Sequence, residues 1–197
     1  MSSNLDKDFW DSRYENGETG WDLGDASPPL KRYIDQLEHK DLAILIPGCG
    51  NAYEAEYLIR NGFSNITLID LSEALTDRLK EKFKNHESIK IICGNFFDLE
   101  GKFDLILEQT FFCAIDPSLR PDYVIKVHSL LNKSGRLAGL LFNRHFEKAG
   151  PPFGGDKSEY MDLFSKHFNI MSMDTATDSI TPRAGNEFFI ELNPIQS

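Results

Sequence analysis

Short apolar runs alternate along this chain with stretches whose apolar residues recur every three or four positions. The first pattern marks strands buried on both faces of a sheet, the second amphipathic helices. Residues 42–46, 66–69, 89–93 and 103–107 are four buried runs, 136–142 is a fifth, and 170–173 and 188–192 complete a set of seven predicted strands. Between them, 52–61 sets Ala55, Leu58 and Ile59 on one helical face. The stretch from Ser72, a helix N-cap, does the same with Leu75, Leu79 and Phe83. Residues 122–131 and 158–167 read as further helices. Ahead of the first strand, 6–16 predicts a short helix with Phe9, Trp10 and Tyr14, followed by a glycine-rich loop around Trp21. Ser27-Pro28-Pro29 then opens a helix, serine as N-cap and proline at its first position. Strands alternating with helices predict an α/β fold with a doubly wound, mostly parallel sheet. Residues 1–40 form an N-terminal helical cap or lid and 41–197 the core of a single domain.

The first three elements of that core carry the chemistry. The run ending at Ile46 stops at Pro47-Gly48-Cys49-Gly50, a helix follows, and the next strand delivers Asp70 to its carboxyl end. A strand-helix-strand crossover brings such a turn and such an acid to one crevice, which predicts a nucleotide or nucleoside site. A dinucleotide fingerprint requires a third glycine where this chain has Tyr53, and no lysine or hydroxyl follows Gly50 at the spacing of a phosphate loop. What remains suits a nucleoside without phosphates: a turn that admits a ligand against the backbone, and a carboxylate that accepts from two ribose hydroxyls. S-adenosyl-L-methionine is the common ligand of that kind. The plainer alternative is that the glycines only make a tight turn and Asp70 caps a helix. A nicotinamide-dependent oxidoreductase, or a sensor that binds the donor without turnover, could use the same unit; Tyr53 argues against the first.

Charge narrows the partners. The formal net charge of −10 on 197 residues, without a Lys/Arg cluster, argues against a nucleic-acid partner and for a small molecule. No apolar run approaches the roughly 20 residues that span a bilayer. The charged start is no secretory signal, and Cys49, Cys93 and Cys113 have no zinc spacing, so a cytoplasmic protein is expected, as a monomer.

Several side chains invite a role. Trp10 and Tyr14, four residues apart, share a helix face, and Trp21 between glycines suggests a loop that folds over a ligand and expels water, or else packs as a cap. Gly94-Asn95-Phe96 and Glu108-Gln109 follow the third and fourth strands, at the end of a sheet where ligands bind. Glu108 is expected beside the reacting group. Cys113 between Phe112 and Ala114, without a paired His, reads as packing, and Arg120 and Arg183 as surface or capping residues, the alternative being that they meet an anionic substrate. His128, His145 and His167 lack metal-ligand spacing.

In order along the chain, Phe9-Trp10 through Trp21-Asp22-Leu23-Gly24, Ile46-Pro47-Gly48-Cys49-Gly50, Asp70-Leu71-Ser72, Asn95-Phe96-Phe97, Phe111-Phe112-Cys113-Ala114-Ile115, Arg120-Pro121 and Gly150-Pro151-Pro152 resemble the thiopurine S-methyltransferase family, most of all its plant halide, thiocyanate and thiol methyltransferases. The resemblance implies a Rossmann-like class I methyltransferase that uses S-adenosyl-L-methionine, assigns no catalytic acid or base, and needs no metal. It places Trp10, Tyr14 and Trp21 around the methyl donor, Gly48 and Asp70 at its methionine and ribose, Asn95 and Phe96 at adenine, and Gln109 at a further donor contact. The acceptor it implies is a small soft nucleophile: a thiol, sulfide, halide, thiocyanate or thiopurine, methylated by direct in-line transfer. Tyr14, Asn95 and Gln109 depart from the residues common in that family.

Overall fold

The computed structural model describes residues 5–196. Seven strands, β1 (Ile44–Pro47), β2 (Ile66–Asp70), β3 (Ile89–Cys93), β4 (Phe103–Gln109), β5 (Leu131–Phe142), β6 (Phe168–Thr175) and β7 (Glu187–Pro194), form one sheet in the order β3-β2-β1-β4-β5-β7-β6. Neighbours from β3 to β5 run parallel, while β7 is antiparallel to both β5 and β6. Parallel neighbours need a long crossover, and helices α3 (Tyr53–Arg60), α4 (Glu73–Lys82) and α5 (Arg120–Leu130) serve three of them. Only a 3-10 turn, Thr181–Arg183, interrupts the link from β6 to β7, and without a crossover helix the chain returns antiparallel.

Alternation along each strand divides the core into two layers. Ile44, Ile46, Ile66 and Leu68 pack with Leu30 and Ile34 of α2 (Pro28–Asp35) and with Ala55, Leu58, Leu75 and Leu79 of α3 and α4. Leu45, Ile69 and Ile106 point the other way, against Tyr123, Val124 and Val127 of α5 and Tyr160 and Phe164 of α6 (Lys157–Phe164). Helices therefore cover both faces, as the α/β pattern requires.

Three local expectations need correction. β3 is an edge strand rather than a fully buried one, and Cys93 at its end is exposed. Ser27 occupies the N-cap of α2 without a side-chain cap bond; its backbone N–H instead donates to buried Glu54 at 3.1 Å. α6 ends at Phe164, before His167, with the Asp156 carboxylate accepting from Glu159 N as its cap. Among the described residues no helix is long and apolar enough to cross a membrane.

Candidate functional site

β1 pairs with β2 on one side and β4 on the other, so the order of the sheet reverses at β1, where open α/β sheets leave a crevice. Gly48 turns the chain out of β1 at φ +54°, a left-handed conformation that side chains resist. A Cβ there would lie 2.3 Å from the Phe111 ring, so only glycine lets that ring pass. Asp70 ends β2, almost fully buried. Its carboxylate accepts from Ser72 N at 3.0 Å and Gly50 N at 3.4 Å, which aims it at the glycine turn. Burial raises the Asp70 pKa to about 6, against those two donors.

The turn after β4 has a different support. Thr110 holds φ +62°, uncommon for a non-glycine residue, and Glu108 clamps this turn by accepting from Phe111 N and Phe112 N at 2.8 Å each and from the Tyr123 hydroxyl at 2.7 Å. The expectation of Glu108 beside a reacting group is thereby corrected. It is fully buried, braces the turn from behind, and burial pushes its carboxyl up to about 7. The turn presents Gln109, whose buried Oε1 has no hydrogen-bond partner, and Phe111. Phe111 meets Phe96 edge-on at 5.1 Å, and Phe96 opens the 3-10 turn after β3, where Asn95 caps Phe97 N through its Oδ1 at 3.0 Å. That oxygen keeps a second lone pair for a ligand.

Above these strand ends lies the N-terminal segment. Helix α1 (Lys7–Glu15) docks on the start of α4: Asp11 accepts from the Ser72 hydroxyl and from Ala74 N, and Lys7 pairs with Glu73 at 2.7 Å. Trp10 and Tyr14 each meet Trp21 edge-on, at 5.6 and 5.7 Å. The loop is fastened on its far side, where Asp22 accepts from Asn51 and Tyr53 and the Trp21 carbonyl accepts from Arg183 at 2.9 Å. Tyr53, at the place a pyrophosphate would need glycine, is thus a tether for the loop.

Together these parts enclose a cavity of about 1230 Å³, more than the roughly 300–1,000 Å³ of a site for one small molecule. Trp10, Tyr14, Trp21, Gly48, Asp70, Asn95, Phe96 and Gln109 all line it. The residues fit a nucleoside-bearing donor on this structure's own terms: a buried acid at the β2 end and, beside it, a glycine cradle that a Cβ on Gly48 would fill. The structure adds Phe142, at the end of β5, and Arg144 and Phe146, just beyond it, to the same wall. Sequence reasoning missed them, although the carboxyl end of the fifth strand belongs to the same rim as the other four. Arg120 and Arg183 are not surface residues. Arg120 is buried, pairs with Glu159 at 2.7 Å and holds the Phe153 and Gly154 carbonyls; Arg183 is buried against Glu187 at 3.2 Å. Cys113 is buried and its pKa pushed up to about 12, which makes it inert as a nucleophile.

Known proteins resemble this chain in sequence and in fold. The chain is 30% identical to "Probable thiol methyltransferase 2" of Arabidopsis thaliana over 184 residues, 90% of this chain and 81% of that protein. It is 27% identical to "Thiocyanate methyltransferase 1" of Brassica oleracea, covering 95% of this chain and 85% of the other. The fold superposes with a TM-score of 0.77, at 18% identity over 97% of this chain and 87% of the other, on a Burkholderia thailandensis 1,6-didemethyltoxoflavin-N1-methyltransferase crystallised with S-adenosylhomocysteine. Residues 5–189 match the family model described as thiopurine S-methyltransferase, nearly the whole span from α1 to β7, and so the chain belongs to the thiopurine S-methyltransferase family.

Proposed function

We propose that this S-adenosylmethionine-dependent methyltransferase acts on a small soft nucleophile, foremost a thiol, in the cytoplasm and as a monomer. The reading is carried by one observation: the donor-binding turn, the buried acid and an apolar annex over β4 and β5 belong to one continuous cavity under an aromatic cover. The donor supplies a sulfonium-bound methyl: the acceptor sulfur forms the new S–C bond, the donor's S–CH3 bond breaks with its electron pair staying on the donor sulfur, and the thiol proton passes to solvent. Everything else is binding and orientation. Asp70 holds the ribose, Gly48 the methionine end, and Asn95 and Phe96 the adenine, with Gln109 a further donor contact, while Trp10, Tyr14 and Trp21 close over the site and exclude water. Fixing two reactants in line could supply about 7–11 kcal/mol of the barrier, which requires no catalytic base. In support, the buried Glu108 is spent on two amides and a phenol, and Cys113 on packing.

The test is turnover of S-adenosylmethionine with iodide, thiocyanate, sulfide and simple thiols, the methylated product read by mass. Product from at least one thiol is expected. Donor binding without product from any acceptor would make the protein a sensor, and failure to bind the donor at all would overturn the assignment.

A further inference from the structure

The arginines of the cavity wall differ in one respect. Arg13 pairs with Glu18 at 3.8 Å and Arg183 with Glu187 at 3.2 Å, and Lys7, also in the wall, pairs with Glu73. Arg144 forms no ion pair among the described residues; its guanidinium lies 4.9 Å from the centre of the Phe146 ring. Arg144 is exposed at the cavity's rim, where its charge is free to meet an anionic ligand in a chain whose net charge is −10.

Its position is fixed. The Arg144 carbonyl accepts from Gly155 N at 3.0 Å, and a Cβ on Gly154 would fall 1.6 Å from that same oxygen, so the 150–155 loop sits directly on the Arg144 backbone. Just before it, Asn143 N donates to the Asn186 carbonyl at 2.8 Å and the Tyr160 hydroxyl to the Phe142 carbonyl at 2.9 Å. Arg144 therefore stands on a rigid base just beyond β5, three strand spacings from β2 and Asp70, or about 14 Å. Arg144 and Asp70 thus line the cavity from strands that are not neighbours. Phe146 lies against the guanidinium and Phe142 against Phe146 at 5.1 Å, and Pro151 and Pro152 line the same cavity.

Resting on the methyltransferase reading above, we infer that Arg144 is a specificity residue for an acceptor thiol that carries a carboxylate beyond its sulfur. The carboxylate takes the guanidinium fork, the geometry arginine matches best, and the short carbon chain lies along Phe142 and Phe146. β5 is one spacing, about 5 Å, from β4, which suits a short-chain mercaptocarboxylate.

The experiment measures kcat/KM at saturating S-adenosylmethionine for 3-mercaptopropionate and for uncharged 2-mercaptoethanol, in the wild type, Arg144→Gln and Arg144→Lys. Comparing proteins on one substrate cancels the acidity of the thiol. The selectivity for the charged thiol over the uncharged one should fall at least about tenfold in Arg144→Gln and less in Arg144→Lys, as for loss of a charged hydrogen bond. Calorimetry of 3-(methylthio)propionate binding to the S-adenosylhomocysteine complex should show a matching loss. Equal losses on both thiols, an unchanged selectivity, or a wild type that prefers the uncharged thiol would overturn the inference while leaving methyl transfer standing. Turnover of no acceptor would instead remove the methyltransferase reading, and the binding measurement would still decide the role of Arg144.

Discussion

Asp70 and Glu108 are both buried carboxyls with raised pKa values, yet they serve different ends. Asp70 faces the cavity, so Asp70→Ala leaves two ribose hydroxyls without their acceptor and should weaken S-adenosylhomocysteine binding by about 2–4 kcal/mol, measured by calorimetry. Unchanged affinity would contradict its place in the site. Because Asp70 titrates near 6, donor kcat/KM with iodide as acceptor should be flat above about pH 7 and fall as the pH drops through 6. A thiol acceptor should add its own rise toward its pKa of about 8.5. Glu108 affects stability instead. Between its ordinary 4.5 and about 7 the native state holds a proton that the unfolded chain has lost, so its contribution to stability falls as pH rises through that window. Glu108→Gln, neutral throughout, should abolish that fall, and its denaturation midpoint should gain on the wild type between pH 5 and 8. A parallel pH dependence of the two proteins would show that Glu108 is not the group responsible.

At the scale of elements, α1 is held to α4 by two hydrogen bonds to Asp11 and one ion pair, Lys7–Glu73. Asp11→Ala should cost about 1 kcal/mol of that docking, seen as faster amide exchange in α1 and a raised KM for the donor while kcat changes less. An unaffected KM would separate α1 from donor binding. Most of this level could be read in advance, because caps and periodicity are local: Asp6 and Ser72 cap their helices through their own side chains, and the seven strands follow from apolar runs. What escaped depends on contacts between distant residues. The edge position of β3 follows from the order of the sheet, which no run of residues encodes. The burial of Arg120 depends on Glu159 and on two carbonyls more than thirty residues away. The wall around Arg144 required knowing that the end of β5 meets the 150–155 loop.

For the whole molecule, the same division explains why one side of the cavity was legible and the other was not. The glycine turn and Asp70 lie within one strand-helix-strand unit, whereas the side over β4 and β5 joins two strand ends to a loop and to the last hairpin. The hydrogen bond from Arg183 to the Trp21 carbonyl has a consequence in time. It joins residues 162 positions apart, so the cover of the cavity, although among the first parts of the chain to be made and able to dock on α4 and on Asn51 and Tyr53 early, gains its last tether only when the approach to the last strand exists. Both tryptophans of the chain, Trp10 and Trp21, lie in that cover, and intrinsic fluorescence therefore reports closure and not formation of the sheet. In refolding from denaturant, the far-ultraviolet dichroism of the core should recover first and the tryptophan signal should trail it, with Arg183→Gln lengthening the lag. Identical time courses would mean that the sheet and its cover form in a single step. A ribosome-bound chain stopped short of residue 183 should accordingly carry a cover docked on α4 but still loose at Trp21.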